Sequence, residues 1–260
     1  MRPTTRGVAL GAALVIVLGA VTAYATPRHR NNGHRRNNNG QQRQRNVNTQ
    51  PPRVDGLQAR LNTFVQQNRC QTFVKHGKKF IGVKSNANMD GYKNLGKNTV
   101  EFFVRSGFHH LYARVPKAGS NGKLQQHVYS RITGLSRSSW YKSTSQQVSV
   151  ICELSDREMG NLNKFLDRAV ANPREVIGKF VYAGGRPPSA SNCTSYITTA
   201  KVGERGESLA RLLGVYESGM PQGFLRSLIS RGNSRVKAVV VHNPTGGNFD
   251  QNFDMNQALR

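Results

Sequence analysis

The sequence predicts an α+β fold with a mostly antiparallel sheet, and three observations carry that prediction. Segments rich in Val, Ile, Phe and Tyr follow one another between residues 99 and 154 without intervening helices. A capped amphipathic segment, 155–171, comes next. Short helical stretches and one last apolar run, 235–242, then close the chain. Strands and helices in runs, not in alternation, argue against a doubly wound parallel sheet.

Taken in order, the first 25 residues have the form of a secretory signal. Arg2 and Arg6 precede an uncharged apolar stretch, 8–23, and Ala23-Tyr24-Ala25 supplies a small-x-small cleavage pattern. That stretch is shorter than the roughly 20 residues that span a bilayer, so cleavage is preferred to anchoring, and the expected location is secreted or periplasmic. Residues 26–54 carry seven Arg and no acid, among Asn, Gln, Gly and Pro. Such a segment buries almost nothing apolar and is expected to be a disordered basic linker. A single domain is expected over 55–260.

Within it, Leu57, Leu61, Phe64 and Val65 recur at helical spacing. Residues 72–83 predict a hairpin turning at His76-Gly77. Strands are expected at 99–105, 108–115, 124–132 and 147–154. Ser155 and Glu158 form a capping box, each satisfying a free backbone donor of the other. Behind it Met159, Leu162, Phe165, Leu166 and Val170 make one apolar stripe, which Asn172-Pro173 ends. Helices are expected at 193–200, 207–213 and 221–229, and an irregular tail after Asn243.

Charge bounds the partners. The chain has 260 residues and a formal net charge of +25. Nine arginines and no acid precede Asp55, so residues 55–260 keep 29 basic against 13 acidic side chains, a balance of +16. The expected partners are an anionic envelope polymer or a membrane surface, and nucleic acid only non-specifically. Carboxylate cages for calcium or magnesium are excluded by the scarcity of acids. Three Cys cannot build a disulfide scaffold, and the seven His show no zincin spacing. No P-loop or dinucleotide glycine motif is present, so neither a metal nor a cofactor is expected.

Two segments carry chemistry. His110-Leu111-Tyr112-Ala113-Arg114-Val115 is echoed by His127-Val128-Tyr129-Ser130-Arg131-Ile132. In a strand His, Tyr and Arg share one face. If the two segments form a hairpin through the 116–122 loop, partners summing to about 237 would set His110 against His127. His109 then points to the other face. The second segment, Asn192-Cys193-Thr194-Ser195-Tyr196, places a Cys where a helix begins. The dipole and free N–H groups of a helix start favour a thiolate, and a nearby His would take its proton.

A strand His, a second strand His and a downstream Asn-Cys-x-x-aromatic helix start resemble the circularly permuted papain-like cysteine enzymes. These include NlpC-type hydrolases and the lecithin:retinol acyltransferase-like proteins. The likeness covers roughly residues 99–230. It implies Cys193 as nucleophile, His110 as general base and His127 as the orienting third member. Asn192, Tyr112 and Tyr129 beside them become the candidate substrate contacts. The implied activity is that of a secreted thiol peptidase or amidase acting on envelope peptides through an acyl-enzyme. The Cys193 N–H would serve as oxyanion donor. Acyl transfer on lipid or lipoprotein competes with it, as does a non-catalytic basic module binding an anionic polymer or nucleic acid. Export and the assignment of Cys193 to chemistry leave Cys70 and Cys152, for which a disulfide is expected.

Overall fold

The computed structural model describes residues 56–105, 108–131, 135–139, 146–244 and 249–259. All lie in the compact unit Gln50–Arg260. The stretches expected to be signal and linker, 1–25 and 26–54, fall outside them. Helix α1 (Gly56–Gln67) buries Leu57, Leu61 and Phe64, three positions of its predicted stripe. Strands β1 (Gln71–Lys75) and β2 (Lys78–Val83) form the hairpin. Its turn residues His76 and Gly77 both have positive φ, 52° and 68°, as a two-residue turn matched to strand twist requires. A short helix, α2 (Asp90–Lys93), follows.

The strands β3 (Thr99–Arg105), β4 (Phe108–Ala118), β5 (Leu124–Arg131), β6 (Leu135–Ser139) and β7 (Gln147–Glu153) come in succession. Then come α3 (Asp156–Ala171), α4 (Pro173–Ile177), the two-residue strands β8 (Lys179–Phe180) and β9 (Ala190–Ser191), and α5 (Ser195–Thr198). The chain continues through α6 (Leu209–Leu212), α7 (Pro221–Arg231), β10 (Val236–His242) and α8 (Met255–Ala258). The last contradicts the irregular tail expected after Asn243: Asp254 caps it by accepting from the Asn256 N–H at 2.9 Å.

One eight-stranded sheet runs β1-β2-β10-β7-β3-β4-β5-β6. Within this sheet, among the described residues, only β10 and β2 pair in parallel, so the fold is α+β with a mostly antiparallel sheet. Alternation divides its side chains between two cores. Val148, Val150 and Cys152 of β7, Val239 and Val241 of β10 and Leu111, Ala113 and Val115 of β4 pack with α3, α5 and α7. Ile151, Ala238 and Val240 pack on the other face with α1 and α2. Each fully buried Leu, Ile or Phe in these layers contributes ~1.5–3 kcal/mol. The capping box of α3 is formed, with Glu158 Oε2 accepting from the Ser155 N–H at 2.8 Å. The same carboxylate takes both arms of Arg235 at 2.7 and 2.8 Å, which fastens α3 to the start of β10. No helix among the described residues is long and apolar enough to cross a membrane.

The expected Cys70–Cys152 bridge is not present, and none of the three Cys forms a disulfide. The sheet separates the two: Cys152 faces the α3–α7 core and Cys70 packs with the α1–α2 core. Burial pushes the Cys152 thiol well up, against a smaller opposing pull from Lys78.

A polar cluster sits under α2. Glu101 and Arg114 are paired cross-strand neighbours, both buried, and form an ion pair. Tyr92 donates to Glu101 at 2.6 Å, and its ring lies 4.6 Å from the Arg114 guanidinium. Burial lowers the Arg114 pKa to about 10, with Tyr92 pulling the other way.

Candidate functional site

The segment before Cys193 is anchored from three directions. Strands β8 and β9 pair in parallel, Lys179 with Ala190 and Phe180 with Ser191. Ser191 Oγ donates to the Ile177 carbonyl at 2.6 Å. From the end of β5, Arg131 reaches the Gly178 carbonyl at 2.7 Å and the Ser191 carbonyl at 3.3 Å. Its guanidinium lies 5.8 Å from the Phe180 ring centre, and the residue is 2% exposed. Gly178 has φ 72°, and a Cβ there would meet the Pro188 carbonyl oxygen at 2.2 Å, so no larger residue fits.

Asn192 then shapes the turn that carries the thiol. Its Oδ1 accepts from the N–H groups of Thr194 (2.9 Å) and Ser195 (2.8 Å). Its own N–H donates to Ser195 Oγ at 3.0 Å, and its Nδ2 donates to the Gly219 carbonyl at 2.7 Å. Asn192 is 1% exposed with its carboxamide committed to backbone. It is a turn-forming residue, not the substrate contact expected. The helix expected from 193 begins at Ser195 and has four residues. So short a helix supplies little macrodipole, and any activation of the thiol falls to neighbouring side chains.

Cys193 is 7% exposed, with Sγ 3.9 Å from Thr194 Oγ1. It acts electrostatically on two phenols. Tyr112 on β4 is raised first by burial, is lowered by Arg105 and is raised again by Cys193. Tyr196, the core residue of α5, is raised by burial, then by Cys193 and Tyr129, with Arg131 opposing. Cys193 is therefore within electrostatic reach of Tyr112 on β4 and of Tyr196 on α5.

His110 is two residues away on that strand, ~7 Å from Tyr112 along it. Here the register of β4 against β3 breaks: Phe103 pairs with Tyr112 but Arg105 with Phe108, so two residues of β3 face four of β4. Such bulges re-aim side chains and recur beside active sites. Nδ1 of His110 is buried and has no hydrogen-bond partner among the described residues. The side chain of His109 lies outside the described residues.

The hairpin register differs from the one expected. β4 and β5 pair Tyr112 with Ser130, Ala113 with Tyr129 and Val115 with His127, partners summing to 242 and not to 237. His127 is thus five positions along β4 from His110, ~17 Å at strand rise. It stands opposite Val115 and cannot orient a base at His110. Tyr129 is fully buried in the α3–α7 core, which removes it as a substrate contact. Tyr112 remains half-buried, stacked on Phe103 at 5.0 Å. Arg131 is the positioning residue that sequence reasoning missed; its only signal was its place as the Arg of the second echo.

Loops 182–186 and 216–220 flank the turn. A Cβ at Gly219 would lie 3.6 Å from Gly184 N, so the two loops touch. They carry three of the most exposed large apolar side chains, Tyr182, Tyr216 and Met220. Among the described residues no three His, Cys, Asp or Glu side chains gather as a metal site. No family model matches the chain, and neither a curated protein nor a solved structure matches it.

Proposed function

We propose that the chain is a cysteine-dependent hydrolase of amide bonds in a circularly permuted papain-like arrangement, acting on cell-envelope peptides outside the cytoplasm. The observation that carries this reading is the convergence at β4. An Asn192-held turn carries Cys193, whose field reaches Tyr112 on β4, and two residues from Tyr112 a buried His110 nitrogen has no hydrogen-bond partner among the described residues. In this reading Cys193 gives its proton to His110, and Sγ attacks the amide carbonyl carbon. The C–N bond breaks as His110 returns the proton to the departing amine. Water then attacks the thioester, releasing a carboxylic acid and the free thiol. The N–H groups of Thr194 and Ser195 are occupied by Asn192, so neither of them is the oxyanion donor. The +16 of residues 55–260 suits an anionic wall or membrane surface.

A labelled peptidoglycan digest incubated with the protein tests the substrate class. New free amino termini that appear with the wild type and not with Cys193→Ala support the reading. Transfer of an acyl group to an added amine or alcohol, with no hydrolysis in water alone, redirects it to an acyltransferase. Iodoacetamide that modifies Cys70 before Cys193 in the folded protein sinks both, because a nucleophilic thiol reacts first.

A further inference from the structure

Six cationic side chains from separate parts of the fold line one continuous groove. Lys164 and Arg168 stand four residues apart on α3, and Arg186 belongs to the loop before β9. Lys201 follows α5, Arg211 is on α6 and Arg231 ends α7. They border two cavities, of about 590 and 760 Å³, which share Arg186, Lys201 and Glu217 and so run into each other. Glu217 is the one acid lining either cavity, and Arg186 holds it at 3.4 Å. The other five cations make no ion pair among the described residues and are exposed.

Like charges converging from five elements repel one another, and folding gains nothing from the arrangement. A concave site lined by one sign of charge focuses its field on an anion. Concavity selects a linear anion over the flat face of a bilayer. An exposed aromatic in the groove narrows the class further. Tyr216 lines the same cavity as Arg211 and Arg231 and is 82% exposed. A polyol phosphate or a run of Asp and Glu has no aromatic face for that ring, whereas every nucleobase has one.

We infer that this groove binds single-stranded nucleic acid, its phosphates on the six cations and a base stacked on Tyr216. The inference goes beyond amide hydrolysis and is independent of chemistry at Cys193.

The test uses the full chain and a fluorescein-labelled 12-nucleotide single strand, read by anisotropy across a salt series. Two triple reversals change the net charge equally. Arg168→Glu, Lys201→Glu and Arg211→Glu alter the groove; Lys84→Glu, Lys123→Glu and Arg226→Glu alter exposed sites outside it. The groove variant is expected to lower the slope of log K against log salt by about 2, three phosphate contacts at ~0.7 each, and the control to leave it unchanged. Equal losses in the two variants overturn the inference, since net charge alone then does the binding. Tyr216→Ala, which leaves the charge intact, is expected to weaken the oligonucleotide by about 5- to 100-fold. The same variant should leave inorganic polyphosphate binding unchanged. If it weakens neither ligand or both alike, nucleic acid is the wrong occupant.

Discussion

β4 and β5 carry the same pattern, His, aliphatic, Tyr, small, Arg, and the fold uses the two copies in opposite ways. In β4, Tyr112 and Arg114 point away from the α3–α7 core, and Arg114 pairs with Glu101 beneath Tyr92. In β5, Tyr129 and Arg131 point into it, and Arg131 holds the backbone that leads to Cys193. The cause is register. Ala113, not Tyr112, faces Tyr129, so equivalent members of the two copies are offset by one position and emerge on opposite faces. The histidines separate for the same reason, one into a bulge beside Tyr112 and the other opposite Val115. Similar strings of residues thus supply a candidate site on one strand and its scaffold on the next.

The sharpest way to break that comparison is to remove the histidines in turn. Cys193→Ala is expected to cost on the order of 10⁴-fold or more in turnover, as loss of a nucleophile does. His110→Ala should cost ~10²–10⁴-fold, the usual contribution of a general base. His127→Ala should leave turnover unchanged, and none of the three should move the melting temperature appreciably. Activity lost in His127→Ala and kept in His110→Ala would reverse the roles given to the two strands. Activity lost in His109→Ala alone would move the base by one residue.

The arginines come next. Arg114→Met strands the Glu101 carboxylate in a buried site and is expected to cost ~3–5 kcal/mol in urea unfolding. Arg131→Met removes the donor to the Gly178 carbonyl and leaves the Ser191 carbonyl only the Val181 N–H, and should cost ~1–3 kcal/mol. The distinguishing readout is at the thiol. Arg131→Met loosens the Gly178 and Ser191 anchors, so it should change the rate of Cys193 alkylation, which Arg114→Met should not. Equal effects on labelling would show that Arg131 has no special hold on the site.

What was legible in the sequence follows the same line. Periodicity and turn chemistry located the His76-Gly77 hairpin, β3, β4, β5, β7 and the Ser155–Glu158 box, because each is fixed by residues within a few positions. Asn192-Cys193 was legible as a turn bearing a thiol. The β4–β5 register was not, since strand periodicity says which residues alternate and nothing about which partner each one meets. Burial of Arg131 was also hidden. An Arg at a strand end reads as solvated unless its acceptors are known, and these lie 47 and 60 residues further along. α2 and α8, four residues each, are too short to show a helical period. Asn192 read as a substrate contact because its four hydrogen bonds to backbone and Ser195 appear only once the chain is folded.

The smallest expected effect tests the contact on which the β4 half of the comparison depends, the proximity of Tyr112 to Cys193. Tyr112 is held above the ordinary phenol value of about 10 by burial, because a phenolate loses hydration there. Arg105 favours the phenolate and pulls the value down, whereas an ionised Cys193 repels it and pushes the value up. Cys193→Ala should therefore lower the Tyr112 pKa, and Arg105→Gln should raise it, read from the ring-carbon shift of labelled tyrosine across a pH series. The sign carries into stability. A group whose folded pKa is raised contributes stability that is present below its unfolded value and is lost as pH rises through the folded one. The wild type should thus lose this contribution from pH ~10 upwards, and Cys193→Ala, with a folded value closer to the unfolded one, should lose less of it and finish losing it at lower pH. If the Tyr112 titration is the same with and without Cys193, the thiol does not reach β4, and the case for His110 as its base goes with it.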